Sequence, residues 1–309
     1  MADLPPRRVD PRTIRADDLR YLLAVSGSRN RSAAAAALGV DASTVSRRIR
    51  ALEQALGVPL VRQGPTGWEL TDAGRAVAET ARGIETAVDG AIRAVTGTAG
   101  DALRGNVRIT SPDAFGTYFV APALVRLRAA HPGLTVELLT ATRELSVHQS
   151  GYDLAIAVGT PLGGRLVSEP ISEYALGFYA SAEYLADHGV PATVDDVRDH
   201  PIIWYVDSLL QVGQLDLDKH LPGVTPRFMS TNVFAQVEAT LAGGGVGLLP
   251  AFVADRHPGL RRVLRREVDV RLGYSLAAHR DRVTDPVVRA LRDAVIGEVR
   301  ARRSELLPA

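Results

Sequence analysis

Apolar positions near the amino end recur at helical spacing. Val45, Ile49 and Leu52 stand at i, i+4 and i+7, the buried stripe of a helix. A shorter helical pattern, Ala33 to Leu38, precedes it and closes at Gly39, a residue that accepts the positive φ of a tight turn. Asp41 stands where an N-cap is needed. After the longer helix come two β-like runs, Gly57 to Arg62 and Trp68 to Thr71, around the turn Gln63-Gly64-Pro65-Thr66-Gly67. Thr71 or Asp72 can cap a further helix, in which Val77, Ala81, Ile84, Val88, Ala91 and Val95 follow a 4-3-4-3-4 spacing. Residues 97–105, rich in glycine, break that helix.

From Asn106 the pattern changes to strands alternating with helices, which implies parallel α/β structure. The strands are expected at 107–110, 134–139, 154–158, 176–179, 201–206, 247–250 and 275–277. The helices are expected at 114–130, 145–149, 233–243 and 286–303. The chain leaves one subdomain near Gly159 to Arg165 and returns near Leu272, so two α/β subdomains with crossed connections are expected. Such folds bind small molecules in the cleft, at the carboxyl ends of strands and the amino ends of helices.

Two short helices, a turn, a longer helix and a β-wing describe a winged helix-turn-helix, which places one helix in the DNA major groove. At about 100° per residue, the side opposite the apolar stripe carries Ser43, Arg47, Arg50 and Gln54, with Ser46 at its flank. Ala42 and Thr44 share the amino end of that helix. Arginine grips guanine O6 and N7 in a fork, and serine or threonine holds phosphate or a base edge. Arg62, at the base of the wing, is a candidate phosphate contact. The plain alternative is a solvated helix face with ordinary surface arginines.

Here the chain resembles the LysR-type transcriptional regulators. The likeness lies in Ala33-Ala34 before Leu38, in Val45-Ser46-Arg47-Arg48-Ile49, and in Leu52-Glu53 followed by Leu56-Gly57. It continues through Leu60, Arg62, Leu70-Thr71 and Ala73-Gly74. It extends with less specific runs, Gly151 to Gly159 and Ser230 to Pro250, over about residues 17 to 300. The family often has Phe where Val61 stands, Pro where Ser43 stands and Ser-Phe where Arg31-Ser32 stand, so base preference is not carried over.

The resemblance implies a mobile arm (1–16), a winged helix-turn-helix (17–74), a dimerisation helix (75–97), a hinge (98–105) and an effector domain (106–303). The effector domain would be periplasmic-binding-protein-like, with subdomain I at about 106–162 and 273–303 and subdomain II at about 163–272. It also implies pairing of the long helix with its copy from a second subunit, with packing on its own domain as the alternative. Dimers would pair into a tetramer that binds promoter DNA at an imperfect inverted repeat, with RNA polymerase as a further partner.

Candidate effector contacts follow from position. Ser111 ends the first strand of the second half, Thr142 the second, and Gly159 the third. Asp113 and Asn232 open helices, while Phe115, Tyr205 and Phe234 supply apolar walls. Helix caps and core packing are the alternatives for these residues. Asp113 poses a conflict, because a carboxylate repels an anionic ligand while a helix amino end attracts one.

Composition narrows the partners. The 309 residues carry a net charge of +1, so DNA affinity must come from local patches. There is no cysteine, which excludes disulfides and cysteine metal sites. No apolar run approaches the roughly 20 residues of a membrane span, and the amino end lacks a secretory h-region, so a cytoplasmic protein is expected. The seven histidines show no metal-ligand spacing; His131 and His257, each before a proline, read as exposed loop residues. Gly243 to Gly247 lacks a phosphate-loop ending and reads as a turn from helix into strand. No catalytic constellation is present, so neither an enzyme nor a cofactor beyond the small effector is expected. A ligand-independent DNA-binding protein and a solute-binding protein are the other functional classes.

Overall fold

The computed structural model describes residues 9–28, 31–64, 67–96, 103–140, 152–159, 166–206, 215–268, 270–280 and 282–308. It divides into two compact units, Met1–Asp101 and Ala102–His148 with Tyr152–Ala309.

In the first unit, α1 (Ala16–Ser26), α2 (Arg31–Leu38) and α3 (Ala42–Leu56) precede a two-stranded wing, β1 (Val61–Gly64) and β2 (Gly67–Leu70). The long α4 (Asp72–Thr96) follows. Leu22, Ala34, Val45, Ile49, Leu52 and Leu60 form a fully buried core, because each amphipathic helix turns its apolar stripe to the others. Gly39 takes φ +64° in the turn, as its position requires. Asp41 holds the N-cap position of α3, but its side chain makes no cap bond; its carbonyl instead accepts from the amides of Thr44 and Val45 at 3.0 and 3.3 Å.

Glu53 fixes the wing to α3, its Oε1 accepting from the amides of Leu60 at 2.8 Å and Val61 at 3.1 Å. Thr71 fixes it to α4. Its hydroxyl donates to the Pro59 carbonyl at 2.7 Å and accepts from the Gly74 amide at 2.9 Å. In α4, Ala78 and Ala81 join the unit's core, whereas Val88 and Ala91 of the same seam are exposed. Among the described residues, the helix thus packs on its own unit at its start. The side chain of Val95 and residues 97–102 lie outside the described residues.

The second unit is built on a nine-stranded sheet. Its elements are β3 (Arg104–Ser111), α5 (Asp113–Phe115), α6 (Ala121–Ala130), β4 (Gly133–Thr140), β5 (Leu154–Val158), β6 (Leu166–Ser181), α7 (Ala182–His188) and β7 (Ile202–Tyr205). After these come α8 (Leu217–His220), β8 (Phe228–Ser230), α9 (Val233–Leu241), β9 (Val246–Pro250), α10 (Ala251–Ala254), β10 (Leu260–Val263), β11 (Val270–His279), α11 (Pro286–Ala301) and α12 (Arg303–Leu306). A π-helical stretch, Gly116–Val120, joins α5 to α6.

The sheet order is β4-β3-β5-β11-β6-β9-β7-β8, with β10 beside β6. It is mixed rather than parallel. β3 pairs parallel with β4 and β5, and β7 parallel with β8 and β9, but the long β6 and β11 run antiparallel to each other and to their neighbours. These two strands pass through both lobes: β5 pairs with Tyr274–Ala277 of β11, and β9 with Leu176–Tyr179 of β6. A register shift between Tyr274 and Ser275 marks the passage. The expected parallel reading came from chain alternation alone, which cannot distinguish a crossing strand from one inside a βαβ unit.

Gly243 takes φ +80° and Gly245 φ +123°, and the latter abuts the Pro201 backbone so closely that a Cβ would lie 2.0 Å from its carbonyl oxygen. That run is a turn from helix into strand.

Candidate DNA-reading helix and effector cleft

The geometry of α3 separates its polar residues. Ser43, Arg47, Arg50 and Gln54 are exposed, and Ala42 and Thr44 are half-buried at its start. Ser46 departs from expectation: it is buried, its hydroxyl donating to the Ala42 carbonyl at 3.0 Å and accepting from Arg31 at 3.3 Å. One residue's turn from Val45 is enough to take it inward. Arg62 is exposed, but its guanidinium is held by Glu69, directly across the wing, at 3.1 Å. An exposed pair of this kind holds weakly, so phosphate can compete for the arginine.

Two further arginines shape this face without having stood out in sequence. Arg31 sits 5.1 Å from the centroid of the Trp68 ring, bringing a cation between α2 and the wing. Arg48 is bonded to the buried Asp18 at 3.1 Å and lies over Tyr21 at 5.8 Å, pinning α3 to α1. Their helical spacing gave no signal, because each acts through a partner far away in sequence.

In the second unit the candidate ligand residues gather unevenly. Ser111 is buried at the end of β3, its hydroxyl 3.2 Å from the Pro112 carbonyl. Asp113 is buried and reaches across to the opposite lobe. One carboxylate oxygen accepts from the Ala114 amide at 2.8 Å, the other from the Val233 amide at 2.9 Å, the first residue of α9. Burial pushes its carboxyl above the usual range, against the opposing effect of those backbone amides. Asn232 caps the same helix, its Oδ1 accepting from the Ala235 amide at 2.9 Å. Both polar residues are therefore helix caps.

The aromatics belong to packing. Phe115 is fully buried, stacked on Phe119 at 5.2 Å and tilted against Tyr274 at 4.2 Å, so it is core and not a cleft wall. Tyr205 is also buried. Phe234 is half-buried, edge-on to Tyr118 at 5.9 Å across the two lobes. Tyr174 of β6 and Tyr274 of β11 stack at 4.3 Å. Burial raises the phenols of Tyr174, Tyr205 and Tyr274, and the charge of Asp113 adds to each. Asp113, Val233, Asn232 and these tyrosines thus form one cluster between the lobes. Gly159 sits apart, with φ +78° and its amide on the Gly273 carbonyl at 2.7 Å. Thr142 and the helix expected at 145–149 lie outside the described residues.

Neither histidine read as an exposed loop residue is fully so. His131 accepts the Leu103 amide on Nδ1 at 3.1 Å, and His257 has its Nε2 buried.

Comparison with known proteins identifies the family. The model described as LysR substrate binding domain matches residues 100–300, and that described as bacterial regulatory helix-turn-helix protein, lysR family, matches residues 16–75. The chain belongs to the LysR family. It is a LysR-type helix-turn-helix transcriptional regulator with a substrate-binding domain.

An uncharacterized HTH-type transcriptional regulator of Haemophilus influenzae is 29% identical over 220 residues, covering 70% of this chain and 76% of that protein. The regulator DmlR of Escherichia coli is 31% identical over 199 residues, 61% of this chain and 64% of its own. The solved structure of full-length CbnR complexed with its target DNA covers 92% of this chain and all of that one, with a TM-score of 0.59 and 24% identity; it shows the shared fold. Among the described residues of this LysR-type regulator, no helix is long and apolar enough to cross a membrane.

Proposed function

We propose that this regulator reads promoter DNA with the exposed face of α3, through Ser43, Arg47, Arg50 and Gln54, with Arg62 and Arg31 as flanking phosphate contacts. The carrying observation is the division of that helix, with Val45, Ile49 and Leu52 wholly buried and Arg47 and Arg50 exposed. CbnR, with the same fold, is seen on its target DNA.

The seam of α4 supports a dimer. Ile84, Val88 and Ala91 form a stripe of apolar residues beyond the part packed on the unit's own core, and a second copy of the helix covers such a stripe. The operator is then an imperfect inverted repeat, and effector domains pair dimers into a tetramer. The protein acts in the cytoplasm, without cofactor or catalysis. A small molecule enters the cleft between the lobes and favours one assembly through differential affinity, changing DNA bending and so the recruitment or exclusion of RNA polymerase.

Footprinting of the purified protein on its operator, with and without pooled metabolites, tests this reading. Protection whose extent changes with one pool supports it; protection indifferent to every pool shows a ligand-independent regulator instead.

A further inference from the structure

The amino end of the nine-residue α9 faces Asp113 of the opposite lobe, at a position where free backbone amides and the helix dipole ordinarily attract an anion. Here two of its three leading amides are already taken, and the next one joins the helix's own ladder. The Val233 amide goes to Asp113 of the opposite lobe at 2.9 Å, the Ala235 amide to Asn232 Oδ1 at 2.9 Å, and the Gln236 amide to the Asn232 carbonyl at 3.2 Å. Asp113 itself is 6% exposed, and no cation among the described residues contributes to its charge balance. A carboxylate so enclosed is held by backbone amides alone.

We propose that Asp113 is an internal anion that occupies the ligand position at α9, making it the residue that sets the charge of the effector. With the Val233 and Ala235 amides engaged, a carboxylate or phosphate ligand loses two of the three leading donors and meets a like charge at short range. The cleft therefore selects a neutral or cationic small molecule. The same bond ties β3 and α5 of one lobe to α9 of the other, so ligand entry that disturbs it also alters the lobe contact. The conflict that Asp113 presents in sequence is resolved by geometry: the carboxylate is not beside the helix end but on it.

This inference rests on the cleft as the effector site. Its test addresses the anion position directly, with sodium acetate as probe and calorimetry on the full chain at constant ionic strength. Asp113→Ala removes the internal anion and is expected to bind acetate at least about tenfold more tightly than the unaltered protein. Asp113→Asn keeps an acceptor on the Val233 amide and is expected to gain little. Should the alanine variant fold poorly, Asp113→Ser, too short to reach the opposite lobe, serves in its place with the same expectation. Equal acetate affinity in the unaltered protein and in the alanine or serine variant overturns the proposal. So does a gain in Asp113→Asn as large as in Asp113→Ala, which would show repulsion without occupancy. Footprints indifferent to every metabolite would remove the effector reading and leave the acetate result standing.

Discussion

Gly74, in the first turn of α4, is buried against the wing, and an added Cβ would lie 1.9 Å from the Leu60 carbonyl oxygen and 2.9 Å from its carbon. Apolar carbons rest at about 3.5–4.0 Å, so Gly74→Ala must push the helix and the start of the wing apart by more than about 1 Å. The obstacle is backbone and cannot rotate away. The shift also strains the amide of Thr71 on the Leu60 carbonyl, 2.9 Å, and the Thr71 hydroxyl between Pro59 and Gly74. Overpacking of about 2–3 kcal/mol and one lost bond of about 1 kcal/mol oppose a helix-propensity gain of about 1 kcal/mol. The net expected loss is about 2–3 kcal/mol. Gly83, in the same helix, is exposed with nothing near its would-be Cβ, so Gly83→Ala is expected to gain about 1 kcal/mol. Hydrogen exchange of a peptide spanning 42–56 reads the opening free energy of the first unit in both variants. If both substitutions shift it in the same direction, the close-packing argument fails.

Four other outcomes follow from the same structure. Arg47→Ala should lower specific operator affinity by about 1–3 kcal/mol if it reads a base, whereas an equal loss on random DNA in a fluorescence titration would make it a phosphate contact. Val88→Asp should weaken dimerisation at least about 100-fold by sedimentation while leaving the monomer folded, since Val88 is 42% exposed; an unchanged dimer would place the interface elsewhere. Asn232→Ala should cost the second unit about 1 kcal/mol through its lost cap, and unaltered thermal stability would contradict that role. Tyr174, Tyr205 and Tyr274 all have phenols raised by burial, so the folded state keeps protons that the unfolded chain releases near pH 10. Stability is whole below that pH and falls above it by about 1.4 kcal/mol per pH unit for each tyrosine. Tyrosinate absorbance appearing gradually in the still-folded protein would refute their burial.

The readable parts of the fold were those with local period. Val45, Ile49 and Leu52 announce α3, and Leu154 to Val158 announce β5, because burial on one face or both writes itself into neighbouring residues. Element type was harder where partners are distant. The sixteen-residue β6 was visible only in its apolar end, Leu176 to Tyr179, because its other half borders both lobes and mixes polar with apolar positions. The exposed polar face of α3 was legible except at Ser46, which follows the buried Val45 and turns inward with it. The cleft was the least legible. Asp113 and Asn232 look alike in sequence, each opening a helix, yet one caps its own helix and the other crosses to a helix 120 residues away. No periodicity carries that information.

In the proposed function, α3 of this LysR-type regulator reads DNA sequence as part of a symmetric dimer. In vitro selection from a random duplex library with the full-length protein, repeated with the Arg47→Ala, Arg50→Ala double variant, tests it most directly. An enriched inverted repeat with the unaltered protein, lost or relaxed at defined positions in the variant, is the predicted result. Retention of duplexes with no enriched motif, or the same motif from both proteins, would contradict it.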